Sequence, residues 1–143
     1  MKTFVVLAVS IVLVSMLFCP MATAAPPMPN DVQMVEPDPS LPKELADFWG
    51  KWEGRDPIQQ FFLIIEKIDE EKATFYRWRS GTSLMPAGWN RFQAKVSKES
   101  GKYKLWHRTD PKYGSVIVEY TLKGKYLDVT APKTAGFRYT RVP

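Results

Sequence analysis

From Phe48 to the C-terminus the chain alternates between apolar and polar residues. Phe92, Ala94 and Val96 are interleaved with Arg91, Gln93 and Lys95, and Val116, Val118, Tyr120 and Leu122 with Ile117, Glu119 and Thr121. A period of two belongs to a half-buried β-strand with one dry face and one wet face. Residues 58–68 read as a longer apolar strand. Residues 73–78, 103–107, 126–129 and 136–142 read as shorter ones, and 48–53 completes a set of eight. Turn-forming runs separate them: Asp69-Glu70-Glu71-Lys72, Lys98-Glu99-Ser100-Gly101, Lys123-Gly124 and Ala131-Pro132-Lys133. Connections this short favour antiparallel pairing of consecutive strands. No segment of this region carries a sustained helical period, and no internal repeat is present.

Eight short antiparallel strands have few ways to hide their edges. Closure into an up-and-down barrel removes the edges outright. A two-sheet sandwich is the alternative, but it uses Greek-key crossings and longer connections than this chain supplies. The expected class is all-β: an eight-stranded antiparallel up-and-down barrel preceded by a short helix and a disordered arm.

The N-terminal residues have a different character. Lys2 is followed by an uncharged apolar run, residues 4–18, which is short for a bilayer span of roughly 20 residues. Pro20 and Ala22-Thr23-Ala24 follow, small residues with A-x-A spacing. Residues 1–24 therefore read as a secretory signal peptide cut after Ala24, which implies an exported protein, periplasmic or extracellular. A retained anchor and lipidation at Cys19 are the other readings. Bulky Phe18 directly before Cys19 disfavours lipidation. With residues 1–24 removed the chain has no cysteine, although its compartment permits disulfides.

Residues 25–39 form a proline-rich acidic arm, and residues 40–143 form the domain. Between 25 and 47 one Lys faces five acids and no aromatic residue occurs. Such a stretch buries too little apolar surface to offset its ordering entropy, so it reads as flexible or polyproline-like. Ser40 is a candidate helix cap, with Pro42 in the first turn and Leu45 turned inward. Residues 48–143 carry 17 aromatic residues, and 18 Lys and Arg against 10 Asp and Glu. The aromatic density suits a well-packed small core.

Trp49-Gly50-Lys51-Trp52-Glu53-Gly54 places Gly50-x-Trp52 just after the helical turn and at the start of the meander. This resembles the opening of lipocalin-type (calycin) barrels. The resemblance extends over residues 48–142 to a group of small bacterial lipocalin-like domains of unassigned activity. Those domains share the opening Trp, a second strand like Leu63-Ile64-Ile65-Glu66-Lys67-Ile68, and a third strand beginning with Ala, here Ala73. The resemblance implies that Trp52 plugs the closed end beside Gly50 and that an Arg near the last strand packs over it. Arg141 is the first candidate for that role and Arg138 the second. This chain departs from lipocalins in its shorter strands and in having no C-terminal helical pattern.

Few residues carry chemistry. With one His and one Cys, a structural zinc site lacks ligands, and no phosphate-cradling Gly-rich loop or nucleophile elbow is present. No metal, cofactor or catalytic residue is expected, and the chain is not expected to be an enzyme. His107 sits at a strand end beside Arg108 and reads as a partly exposed edge residue. Glu66 shares phase with Phe62, Ile64 and Ile68, which permits an inward carboxylate that reads a polar head. Trp78, Met85, Trp89, Trp106 and Tyr120 join Glu66 as candidate ligand-binding residues, because residues 81–90 form the longest gap between strands and carry apolar residues. Arg91, Lys95, Lys98, Lys102 and Lys104 alternate on two adjacent strands and form a candidate basic face. The reading that follows is an exported barrel binding one small, mainly apolar molecule in its interior. The alternative is a non-catalytic adaptor whose basic face binds an anionic envelope polymer or a membrane surface, with the acidic arm competing for it. Export makes nucleic acid an unsuitable partner.

Overall fold

The computed structural model of the protein describes residues 26–83, 86–111, 114–132 and 136–143. Among these residues one short helix, α1 (Lys43–Ala46), precedes eight strands: β1 (Gly50–Arg55), β2 (Gln60–Ile68), β3 (Lys72–Arg79), β4 (Gly88–Glu99), β5 (Lys102–Arg108), β6 (Ile117–Lys123), β7 (Tyr126–Thr130) and β8 (Phe137–Val142). Each strand pairs antiparallel with the next, and β8 returns to β1 to close the barrel. The expected all-β up-and-down barrel is therefore the fold. The signal-peptide residues 1–24 lie outside the described residues.

The turns form where short acidic side chains can hold them. The Asp69 carboxylate accepts the backbone N–H groups of Glu71 and Lys72, both at 2.9 Å, which bends β2 into β3. Asp56 does the same for Ile58 and Gln59, both at 2.7 Å, between β1 and β2. These are side-chain turns of the kind that favours Asp at such positions.

Alternation sends one residue in two into a continuous core. Trp52, Leu63, Ile65, Phe75, Ala94, Leu105, Val118, Tyr120, Leu127 and Tyr139 meet there. Leu45 and Phe48, from α1 and the link to β1, are fully buried and plug one end. At that closed end the Trp52 indole donates to the Phe48 carbonyl at 3.0 Å. Arg141 lies over the Trp52 ring, 4.3 Å from its centroid, and donates to the carbonyls of Trp49 and Asp47. Gly50 has a φ of 123°, and a β-carbon there would stand 2.8 Å from Arg141 Nη1. The glycine in Gly50-x-Trp52 thus makes room for the guanidinium that covers the indole. Ser40 does not cap α1. The preceding position is Pro42, with no side-chain cap, and the Ser40 hydroxyl bonds to Asp38 instead.

A second apolar layer lies outside the wall. Phe62 and Ile64 on β2 and Tyr76 on β3 are buried but belong to no part of the interior cluster. Residues 26–39 cover them. This segment has no helix or strand, as its prolines imply, yet it is not loose. Trp89 Nε1 donates to the Pro27 carbonyl at 2.9 Å, and the Tyr76 hydroxyl donates to Asp31 at 2.6 Å. The Gln33 N–H donates to the Glu66 carboxylate at 3.0 Å, and the Val35 N–H to the Glu66 carbonyl at 2.8 Å.

Candidate functional site

Leu45 and Phe48 close one end of the barrel. The β2–β3, β4–β5 and β6–β7 turns and α1 lie at that closed end; the described parts of the β1–β2, β3–β4, β5–β6 and β7–β8 connections lie at the opposite, open end, which α1 leaves uncovered. Between Leu63, Ile65, Phe75, Leu105 and Tyr120 the packing leaves no room for a water-sized sphere. The closed half is therefore filled, as an eight-stranded barrel of this width allows.

Nearer the open end the interior becomes polar. Arg77 and Arg79 on β3 share the inward phase of Ala73 and Phe75. His107 on β5 shares the phase of Leu105, and Tyr120 and Tyr139 come from β6 and β8. His107 is 4% exposed, Tyr120 1% and Tyr139 0%. Among the described residues, neither ring nitrogen of His107, neither tyrosine hydroxyl, nor Arg79 Nε has a hydrogen-bond partner. Arg77 stands over the Phe92 ring at 4.8 Å, and its charge reaches Tyr120 and Tyr139 without the geometry of a full hydrogen bond to Tyr120. The imidazole is bounded by Phe75 at 5.5 Å, Phe92 at 5.0 Å and Tyr120 at 5.8 Å between centroids. Burial, reinforced by Arg77, lowers its pKa to about 4, so it is neutral at pH 7.

The expected site residues are distributed otherwise. Of the candidate ligand-binding set, Tyr120 faces the interior. Glu66 is 2% exposed, but it is buried on the outside of the wall beneath the arm, where it accepts from Arg91 and Gln33. The reason is a bulge between Ile65 and Lys67. It shifts the phase by one residue, so Ile68 points inward while Phe62, Ile64 and Glu66 point out, and a one-residue shift reverses every facing. Trp78 packs on outward Phe62, with centroids 5.7 Å apart, and Trp89 is tied to the arm. Trp106 is outward beneath Lys95, whose Nζ is 5.5 Å from the ring centroid. Met85 lies outside the described residues.

The basic face is partly neutralised. Arg91 pairs with Glu66, and Lys104 bonds to Glu99 at 2.6 Å with Glu119 at 3.7 Å. Lys102 is exposed on β5 and Lys95 covers Trp106. Among the described residues no group of three His, Cys, Asp or Glu is placed to hold a metal ion. An open groove at the closed end touches Asp38, Lys43, Asp47, Trp49, Lys125 and Arg141. Of its charges, Lys43 pairs with Asp47 at 2.8 Å and Arg141 donates to two carbonyls.

His107 is the residue that sequence reasoning misplaced. Its position beside Arg108 suggested an edge, but the alternation Tyr103, Leu105, His107 against Lys104, Trp106, Arg108 already put it on the dry face. The same alternation, Ala73, Phe75, Arg77, Arg79, marks two arginines on an inward phase. No protein-family model matches the chain, nor does any curated protein or solved structure.

Proposed function

We propose that this is an exported, non-catalytic barrel of lipocalin-like type that binds one small, mainly apolar molecule inside its open half. The observation that carries this reading is the set of unpartnered buried polar atoms on His107, Tyr120 and Tyr139. Buried polar groups in native proteins are nearly always hydrogen-bonded, because each one left alone costs about 1–3 kcal/mol. Three such residues converging from β5, β6 and β8 mark a place where something else supplies the partners. The aromatic walls around them, Phe75, Phe92 and Phe137, suit an apolar body. Shielding apolar area stabilises by about 25 cal/mol per Å² before association costs. The adaptor reading is weaker, since Arg91 and Lys104 of the basic face already meet carboxylates within the chain.

Native mass spectrometry on protein purified from its own source without detergent tests both parts. A chain beginning at residue 25, carrying an extra mass that leaves on gentle activation, is the expected result. A full-length chain overturns export with cleavage, and a bare mass overturns the carrier reading.

A further inference from the structure

We infer that the head group of the molecule held in the open half is an anion, seated on Arg77, His107, Tyr120 and Tyr139 with its apolar part toward the barrel mouth. This rests on the reading of the interior as a ligand site and adds the chemical class and orientation of what it takes.

The charge inventory of the interior points one way. Arg77 and Arg79 are on the inward phase of β3, and no Asp or Glu occupies the inward phase of any described strand. Glu53 bonds to Gln60 on the outer face, Glu66 lies under the arm, and Glu119 and Asp128 face outward to lysine and arginine partners. No carboxylate pairs with the half-buried Arg77 among the described residues, although a guanidinium drawn partly out of water favours one. The other groups are all able to donate: two tyrosine hydroxyls and an imidazole, from β5, β6 and β8, with His107 stacked on Tyr120 at 5.8 Å and the charge of Arg77 reaching all three. Donors around an unpaired guanidinium with no acceptor of their own are the complement of a carboxylate or a similar small oxyanion. A cationic head would meet Arg77 at close range, and a neutral head would leave its charge unanswered.

Orientation follows from packing. Below Tyr120 the space is closed to even a water-sized sphere. The head therefore stops at the polar layer, and the apolar part lies above it. Phe61 and Phe137, stacked at 4.7 Å on the β2 and β8 ends nearest the mouth, flank that part. An anion beside His107 would also reverse the cause of its low pKa, because a negative charge favours the imidazolium that Arg77 and burial disfavour. The groups facing His107 are Phe75 and Arg77 on β3, Phe92 on β4 and Tyr120 on β6, and none of them supplies that negative charge.

The test uses the full chain and three probes of equal length: octanoate, octan-1-ol and octylammonium, titrated by calorimetry at pH 7. Octanoate is expected to bind about ten times more tightly than octanol, and octylammonium more weakly than either. Arg77→Gln, shown to be folded by its near-ultraviolet circular dichroism, brings octanoate and octanol to within about threefold, and Arg77→Lys restores part of the difference. Because His107 is the sole imidazole, its NMR titration needs no assignment. Saturating octanoate is expected to raise its midpoint, and octanol to leave it unchanged. Equal binding of octanoate and octanol, or preference for octylammonium, overturns the anionic head while leaving interior binding intact. No binding of any of the three overturns both.

Discussion

At the scale of single residues, one side chain stands out at each end of the barrel. Arg141 seals one end over Trp52, and Gly50 gives it the space. In Gly50→Ala the new methyl meets Arg141 Nη1 on a backbone with φ of 123°, which L side chains rarely adopt. The expected cost is about 1–3 kcal/mol, read as a lower urea midpoint at unchanged slope. His107 dominates the other end. It titrates near 6.5 when unfolded and near 4 inside the barrel, so between those values the unfolded chain binds more protons. The stability owed to the neutral imidazole is complete above pH 6.5 and falls as pH drops toward 4, by about 3 kcal/mol in all. Urea midpoints at pH 7 and pH 4.5 should differ in this sense, and His107→Phe should flatten the difference. Asp128, held down to about 2 by Arg138 and Lys123, adds a separate loss below its ordinary 3.8. The arginine–indole contact was anticipated only through the lipocalin resemblance that Gly50-x-Trp52 carries. The inward His107 was not, because proximity to Arg108 was weighed above strand phase.

At the scale of elements, the arm is the one that departs most from its composition. Residues 26–39 are proline-rich and acidic, which argues against independent order, and they make no regular structure. Their order is borrowed. Glu66 receives the Gln33 N–H on its carboxylate and the Val35 N–H on its carbonyl, while Arg91 closes over the same carboxylate. Glu66→Ala removes the carboxylate but not the carbonyl. Arg91 is 54% exposed and returns to water when freed, so the expected cost is about 1 kcal/mol and not that of a fully buried pair. Hydrogen exchange should show the effect locally. The Gln33 amide loses protection, while barrel amides such as those of Leu105 and Val118 keep theirs. If barrel amides lose protection together with Gln33, the arm is part of the barrel's cooperative unit and not a strap upon it. The bulge after Ile65 belongs to this scale too. Nothing in Leu63-Ile64-Ile65-Glu66-Lys67-Ile68 distinguishes which apolar residues face in, since both faces of β2 are covered, one by the core and one by the arm.

At the scale of the whole molecule, closure is the decisive event. β1 and β8 are the most distant strands in sequence and they pair through Lys51–Val142, Trp52–Arg141, Glu53–Thr140 and Gly54–Tyr139. Without β8, both β1 and β7 become bare edges. A chain ending after Thr130 is expected to lose its near-ultraviolet circular dichroism and to associate on size exclusion. A monomeric chain of native dichroism would show that the remaining strands close without it. Pairing of chain ends also makes folding non-local, with expected rates on the millisecond-to-second scale by stopped-flow fluorescence. The sequence by itself determined the number of strands, their antiparallel order and the turns. These depend on period, turn chemistry and short-range spacing, and all three are local properties of a chain. Tertiary structure alone decided which face of β2 is interior, that Trp78, Trp89 and Trp106 lie outside the wall, and that the arm is fastened. It also decided that Arg77, His107, Tyr120 and Tyr139 converge. The physical reason is that facing reverses with a one-residue shift, and that convergence joins four strands whose distance in space only barrel closure sets.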